Sequence, residues 1–234
     1  MSVPTFALII PAAGSGKRMG SETPKPFLKL GGKTILEHTI SRFVKIEGLK
    51  QIVICTSGNF SDYTKKIVSE ACNDIDVVVV KGGKERQDSI RNALTEIKDD
   101  VQLVAVHDAV RPFIDESVIQ NCLKKAEASG AAIVAVRVKD TIKKVKPDHI
   151  ISETPDRKYL WQAQTPQIFR RELIVKAYKL ALQKNFTGTD DASLVENVGH
   201  EVLVVEGNRQ NFKLTYPLDF KIAETLISSN EELK

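Results

Sequence analysis

The sequence predicts an α/β protein: a single doubly wound, mostly parallel sheet with a protruding β-hairpin arm. Three observations carry that prediction. Short β-branched runs recur with almost no polar interruption, as in strands covered on both faces. Amphipathic stretches with apolar residues three and four apart lie between them. The alternation then breaks near Lys139, where a polar segment containing Pro147 and Pro155 begins. Repeated β-α-β units favour a parallel, Rossmann-like sheet, because each crossover helix returns the chain to the same edge.

The elements follow in order. Strands are expected at 6–10 (FALII), 51–56 (QIVICT), 77–80 (VVVV), 102–107 (QLVAVH) and 131–138 (AAIVAVRV). Helical spacing marks 34–46, 62–72, 85–97 and 116–129. Residues 139–158 hold two short pieces, TIKKV and HIISE, around KPDH, which suits a surface hairpin. Helices resume at 170–184 and 190–198, a late strand is expected at 201–206, and a last helix at 217–229 with Pro217 in its first turn. Residues 1–234 are read as one domain, with 139–158 as its arm.

Composition narrows the function. A net charge of +4 favours anionic partners only slightly, and no lysine–arginine run is long enough for a nucleic-acid tail. Cys55, Cys72 and Cys122 are scattered, without a C-x-x-C pair, as expected of buried thiols in a reducing cytoplasm. No apolar stretch is long enough to span a bilayer. The opening VPTFALIIPAAG superficially resembles a signal peptide, but it lacks a charged leading region and is broken by Pro11, so a buried first strand is expected.

The chemistry gathers after the strands. Ligands of open α/β sheets bind beyond the carboxyl ends of the strands, so the loops at 11–25, 81–89 and 107–113 are candidates for one crevice. The first loop, PAAGSGKRMGSETPKPF, mixes Gly14, Gly16 and Gly20 with Lys17, Arg18 and Lys25. Glycines let backbone N–H groups approach phosphate, and cations neutralise it. A Walker loop requires Ser or Thr after Gly16-Lys17, where this chain has Arg18. The dinucleotide fingerprint requires G-x-G-x-x-G, and this spacing is one residue too long. A solvated connection with ordinary surface cations is the plainer alternative.

PAAGSGKRM followed by PKPF resembles the opening of the sugar-nucleotide pyrophosphorylase and cytidylyltransferase superfamily, and most closely the 2-C-methyl-D-erythritol 4-phosphate cytidylyltransferase family. GGKERQDS (82–89), VHDAVRPF (106–113), DT (140–141), DRKYLWQAQTPQ (156–167), TDDASLVE (189–196) and NFKLTYPLD (211–219) match in the same order, so the resemblance covers nearly the whole chain.

The resemblance implies attack by a substrate phosphate oxygen on the α-phosphate of CTP, with release of pyrophosphate. It implies that Arg18, Lys25 and Lys213 are the transition-state cations. It places Ala12, Ala13, Gly14, Gly16, Gly83, Lys84 and Ser89 around CTP. Asp108 would lie near the phosphates and Mg²⁺ or another divalent cation, and Arg111 near the substrate phosphate. Thr141, Arg157, Thr165 and Thr189 correspond to positions that bind the polyol phosphate. The arm would cross to a second copy and complete its site in a homodimer.

Plainer readings stand beside these. Gly82 and Gly83 make a tight turn whether or not a base packs on it, and Lys213 alone could be a surface lysine. His107 reads as a hydrogen-bonding residue, since a phosphate nucleophile requires no general base; Asn211 could offer the cation a second oxygen. Trp161 reads as core or interface, and the hairpin could be a loose loop on a monomer. Two rival functions remain: a ribitol-5-phosphate cytidylyltransferase, and a catalytically silent nucleotide-binding domain that would be expected to lack these cations or the strand-end Asp108.

Overall fold

The computed structural model describes residues 3–14, 23–72 and 75–229. Gly16, Lys17, Arg18 and Gly20 of the first loop lie outside the described residues.

The chain order is β1 (Phe6–Pro11), β2 (Lys29–Leu30), β3 (Lys33–Thr34), α1 (Ile35–Ser41), β4 (Leu49–Thr56), α2 (Ser61–Ala71), β5 (Asp76–Lys81), α3 (Arg86–Leu94), β6 (Leu103–Val106) and α4 (Glu116–Ser129). It continues with β7 (Ala131–Arg137), β8 (Lys144–Val145), β9 (Ile151–Glu153), β10 (Trp161–Arg170), α5 (Arg171–Gln183), α6 (Asp191–Glu196), β11 (Leu203–Glu206) and α7 (Pro217–Ser229). Seven strands form the main sheet in the order β11-β7-β10-β6-β1-β4-β5. All pairings are parallel except those of β10, which runs antiparallel to both β6 and β7.

The continuous apolar runs have a simple cause. Side chains alternate across a strand, so a sheet covered on both faces needs apolar residues at every position. In β1, Phe6, Leu8 and Ile10 enter one core with Leu36 and Ile40 of α1, Ile67 of α2 and Leu123 of α4. Ala7 and Ile9 enter the other, with Ile90 of α3, Ile174 of α5 and Leu194 of α6. A third cluster seats α7, through Ala223 and Ile227, on Leu30, Ile35, Phe113 and Leu214.

Helix ends are written in the sequence. Thr34 and Glu37 cap α1 reciprocally, and Asp190 and Ser193 do the same for α6. Gly130 ends α4 with φ of 93°, a left-handed conformation that a side chain disfavours.

One expectation was incomplete. The spacing of WQAQTPQIF predicts no regular element, but the segment forms the long strand β10 between β6 and β7. Its polar residues and Pro166 argue against a central strand. The ladder to β7 is interrupted between Ala163 and Gln167, so Pro166 sits where no regular strand hydrogen bond is required. The hairpin at 139–158 is present as β8 and β9, with Lys144 opposite Glu153. Residues 139–154 are exposed throughout.

Candidate active site

The loops after β1, β5 and β6 open on one edge of the sheet and meet the segment after β11. Together they surround a cleft of about 580 Å³. Its wall includes Ala12, Ala13, Gly14, Lys25, Gly83, Lys84, Ser89, Asp108 and Lys213. Nine positions singled out in four separate stretches of sequence therefore face one space.

Each is held by local structure. A Cβ on Gly82 would lie 2.2 Å from that of Ala13, so this turn accepts only glycine if it is to pack against the first loop. At Gly14 an added Cβ would meet nothing within 4 Å among the described residues. The Ser89 hydroxyl accepts from Gly83 N–H at 3.0 Å and donates to the Glu85 carbonyl at 3.1 Å, closing the turn into α3. Lys25 opens a short 3-10 turn and is largely buried. Its Nζ donates to the Thr215 carbonyl at 2.5 Å. Thr215 is fixed in turn by Asp219 of α7, which accepts from the N–H groups of Thr215 and Tyr216, both at 2.7 Å. Leu214 N–H donates to the Val110 carbonyl, placing neighbouring Lys213 opposite the loop after β6.

Asp108 lies at the centre of the charge. Lys213 Nζ and Arg111 Nε approach its Oδ2 at 3.0 and 3.2 Å, while Arg86 Nε faces its Oδ1 at 3.4 Å. Burial opposes ionisation of this carboxyl, but Lys213, Arg86 and Arg111 outweigh it and hold it well below the usual carboxylate range. Arg86 also reaches Asp191 Oδ2 at 2.8 Å, and Tyr178 Oη donates to Asp191 Oδ1 at 2.5 Å.

Beneath Asp108 a neutral chain fixes the strand end. Asp108 N–H donates to Thr165 Oγ1 at 3.0 Å, and that hydroxyl lies 3.1 Å from His107 Nδ1. His107 Nε2 lies 3.0 Å from the Arg111 carbonyl, which can only accept, so Nε2 carries the proton and Nδ1 accepts from Thr165. Burial pushes the imidazole pKa down to about 4, so the ring is neutral near pH 7.

The remaining expected positions among the described residues lie off the cleft wall. Arg111 braces Asp108 from below and donates to the Asn211 carbonyl at 2.8 Å. Thr165 is buried in the chain just described. Thr141 is exposed on the arm and Thr189 on the approach to α6. Arg157 donates to the Lys139 carbonyl at the base of the arm. Trp161 lies under the Arg137 guanidinium, 4.4 Å from the ring centre, and not in the cleft.

Arg86 and Asp191 were missed as members of this cluster. Both lie inside the quoted motifs GGKERQDS and TDDASLVE, yet a buried Asp in the first turn of a helix reads locally as an ordinary exposed helix start.

The comparisons with known proteins bear on the family and the fold. The family model described as 2-C-methyl-D-erythritol 4-phosphate cytidylyltransferase, IspD, matches residues 6–229. A relative of that name from Clostridioides difficile is 42% identical over 223 residues, covering 95% of this chain and 94% of its own. One from Symbiobacterium thermophilum is 44% identical, covering 94% and 92%. The crystal structure of 4-diphosphocytidyl-2C-methyl-D-erythritol synthase from Anaerococcus prevotii superposes with a TM-score of 0.87 at 30% identity over 96% of each chain. That of the Francisella tularensis cytidylyltransferase gives 0.80 at 33%, covering 94% and 99%. With its crevice, its strand-end carboxylate and its full-length match in one register, the chain belongs to the IspD family of 2-C-methyl-D-erythritol 4-phosphate cytidylyltransferases.

Proposed function

We propose that the chain joins CTP and 2-C-methyl-D-erythritol 4-phosphate to give 4-diphosphocytidyl-2-C-methyl-D-erythritol and pyrophosphate, and that the cleft described above is where it does so. The observation that carries the site assignment is the convergence of Lys25, Lys213 and the ionised Asp108 on one cleft at the carboxyl edge of the sheet. A phosphate monoester oxygen attacks the α-phosphorus of CTP, a new P–O bond forms, and the bond to the β-phosphate oxygen breaks. Negative charge builds on the phosphorus oxygens and on the departing pyrophosphate, so positioning and fixed cations supply most of the catalysis. Lys25 and Lys213 meet that charge here, with Arg18 from the first loop as the third cation. Ala12, Ala13, Gly14, Gly83, Lys84 and Ser89 line the nucleotide side, and Gly16 belongs to the same loop.

Asp108 suits a divalent cation such as Mg²⁺, which prefers oxygen ligands and often takes most of them from phosphates and water. Among the described residues no cluster of three or more His, Cys, Asp or Glu side chains could hold a metal. A single carboxylate is what a cation carried in with the triphosphate requires. Asn211 retains a buried Oδ1 without a partner among the described residues, so it can supply a second oxygen. When bound, the cation neutralises phosphate charge.

Thr141 and Arg157 complete the substrate phosphate site from the arm of a second copy, with Arg111, Thr165 and Thr189 on the receiving side. Ile142, Val145, Ile150, Ile151 and Tyr159 are exposed apolar side chains on or beside that arm, which supports a homodimer. Among the described residues no helix is long and apolar enough to cross a membrane. We place the enzyme, as a single domain, in the cytoplasm.

Pyrophosphate release tests this with CTP and each candidate polyol phosphate, with and without Mg²⁺. Turnover is expected with 2-C-methyl-D-erythritol 4-phosphate and Mg²⁺. Faster turnover with ribitol 5-phosphate would overturn the substrate; no turnover with any acceptor would favour a silent binding domain.

A further inference from the structure

The cluster around Asp108 contains one cation that faces two ways. Arg86 is the first residue of α3, at the cleft wall. Its Nε faces Asp108 Oδ1 and its Nη2 is bound to Asp191. Asp191 is fully buried and is itself held by the buried Tyr178. Tyr178, on α5, does not line the cleft. Asp191 follows Asp190, which caps α6 and accepts from Gln167 Nε2 of β10 at 2.8 Å. Thus α3, α5 and α6 are tied together through the groups behind Asp108.

We propose that Arg86 is a positioning residue of the cytidylyl transfer: anchored by Asp191 and Tyr178, it holds one oxygen of Asp108 and thereby keeps Lys213 available to the phosphates. The physical reason is charge sharing. Asp108 is divided between Arg86 on Oδ1 and Arg111 with Lys213 on Oδ2. Without Arg86 the whole carboxylate charge falls to Arg111 and Lys213. Lys213, the more exposed of those two and already 3.0 Å from Oδ2, is then held on Asp108 more tightly and released less readily to the nucleotide. Arg86 acts through Asp108 and Lys213, and this inference rests on the reading of those two residues given under Proposed function.

The test separates this role from a purely structural one. Removing one partner of a buried ion pair leaves an uncompensated charge, whereas removing both is far less costly. Arg86→Gln is expected to lose thermal stability and kcat together. The double variant Arg86→Gln/Asp191→Asn is expected to recover most of the Tm while kcat stays about tenfold or more below the parent, with KM for CTP within about twofold. Tyr178→Phe, which removes only the brace, is expected to lower kcat about threefold with both KM values nearly unchanged. Recovery of kcat along with Tm would reduce Arg86 to a structural residue and overturn the inference. A rise in KM for CTP that accounts for the whole loss would make Arg86 a direct phosphate ligand, which also overturns it. If neither Arg86 variant folds, Tyr178→Phe decides, and parental kcat there overturns the inference. Asp108→Asn is the reference: if that variant keeps parental kcat, the reading of Asp108 itself has failed.

Discussion

The carboxylate cluster and the arm carry assigned residues under opposite physical conditions. Asp108 is buried, is approached by three cations, and has its backbone fixed by Thr165 and His107. Every part of that arrangement comes from one chain. Residues 139–154 of the arm are exposed, and its hairpin is bounded by a surface ion pair, Lys144 with Glu153 at 3.6 Å. Thr141 and Arg157 face none of the cleft of their own chain. The difference separates a charge cluster preorganised within one chain from an arm whose assigned residues reach no part of their own chain's cleft. In the proposed homodimer the nucleotide side would be built by folding and the acceptor side by association.

The largest expected effect tests the folded half. Lys213→Ala and Lys25→Ala should each lower kcat by about 100-fold or more, the magnitude expected when a preorganised charge on a transition state is lost. Circular dichroism should show that both variants fold. Near-parental kcat in either would take that lysine out of the mechanism.

The next prediction tests the associated half. Arg157→Ala should raise KM for the polyol phosphate about tenfold and leave that for CTP nearly unchanged. Mixing this variant with Lys213→Ala then asks where the arm works. Random reassociation makes half of the dimers mixed, and each mixed dimer carries one intact site of two, so at polyol phosphate concentrations well below KM, where Arg157→Ala alone has about a tenth of parental activity, the mixture should rise to about a quarter of it. Absence of complementation would place the arm on its own chain and remove the contrast.

A smaller effect sharpens what holds the cluster in place. His107 has a folded pKa of about 4 because burial disfavours the imidazolium. The unfolded value is about 6.5. Between these values the unfolded chain binds more protons, so stability falls as pH drops from about 6.5 to about 4 and is fully regained above that window. The loss from this residue is on the order of 3 kcal/mol. Denaturant midpoints measured across the window should show this slope, and His107→Gln should flatten it. An unchanged slope in the variant would assign the titration elsewhere. Asp108 behaves in the same direction at lower pH: its folded pKa is depressed, so its contribution is present above the unfolded carboxylate pKa and is lost as pH falls further.

The smallest effect belongs to the arm. Glu153→Ala removes the exposed partner of Lys144 and should change stability by less than about 0.5 kcal/mol, since surface pairs are screened by water. A larger loss would mean that this hairpin is stabilised by its own charges, contrary to its exposure.

Much of the architecture was legible because one rule governs it. A strand buried on both faces must be apolar throughout, so β1, β4, β6 and β7 announce themselves as runs, and the half-buried edge strand β5 still shows as VVVV. The amphipathic spacing of α4 and α7 locates both helices to the residue. β10 escaped because its polar residues face other parts of the chain. Gln164 donates to the Asn208 carbonyl, and Gln167 bonds to Asp190 and accepts from Ala192 N–H. A strand that uses its side chains to join distant loops does not look like a strand in its own sequence.

The sequence by itself determined the fold class, the cleft loops and Lys25 as a cation suited to phosphate, while the roles of Asp108 and Lys213 came from the family resemblance. Residue type and spacing carry that information locally, since phosphate chemistry demands cations and close backbone approach. Only the tertiary structure decided which charges meet. Arg86, Asp191 and Tyr178 are far apart in the chain and unremarkable in their local surroundings. Their pairing follows from burial, because a carboxylate taken out of water must find a cation or a donor wherever the fold brings one within reach. That requirement ties Asp191 to Arg86 and, through it, to the carboxylate at the centre of the site.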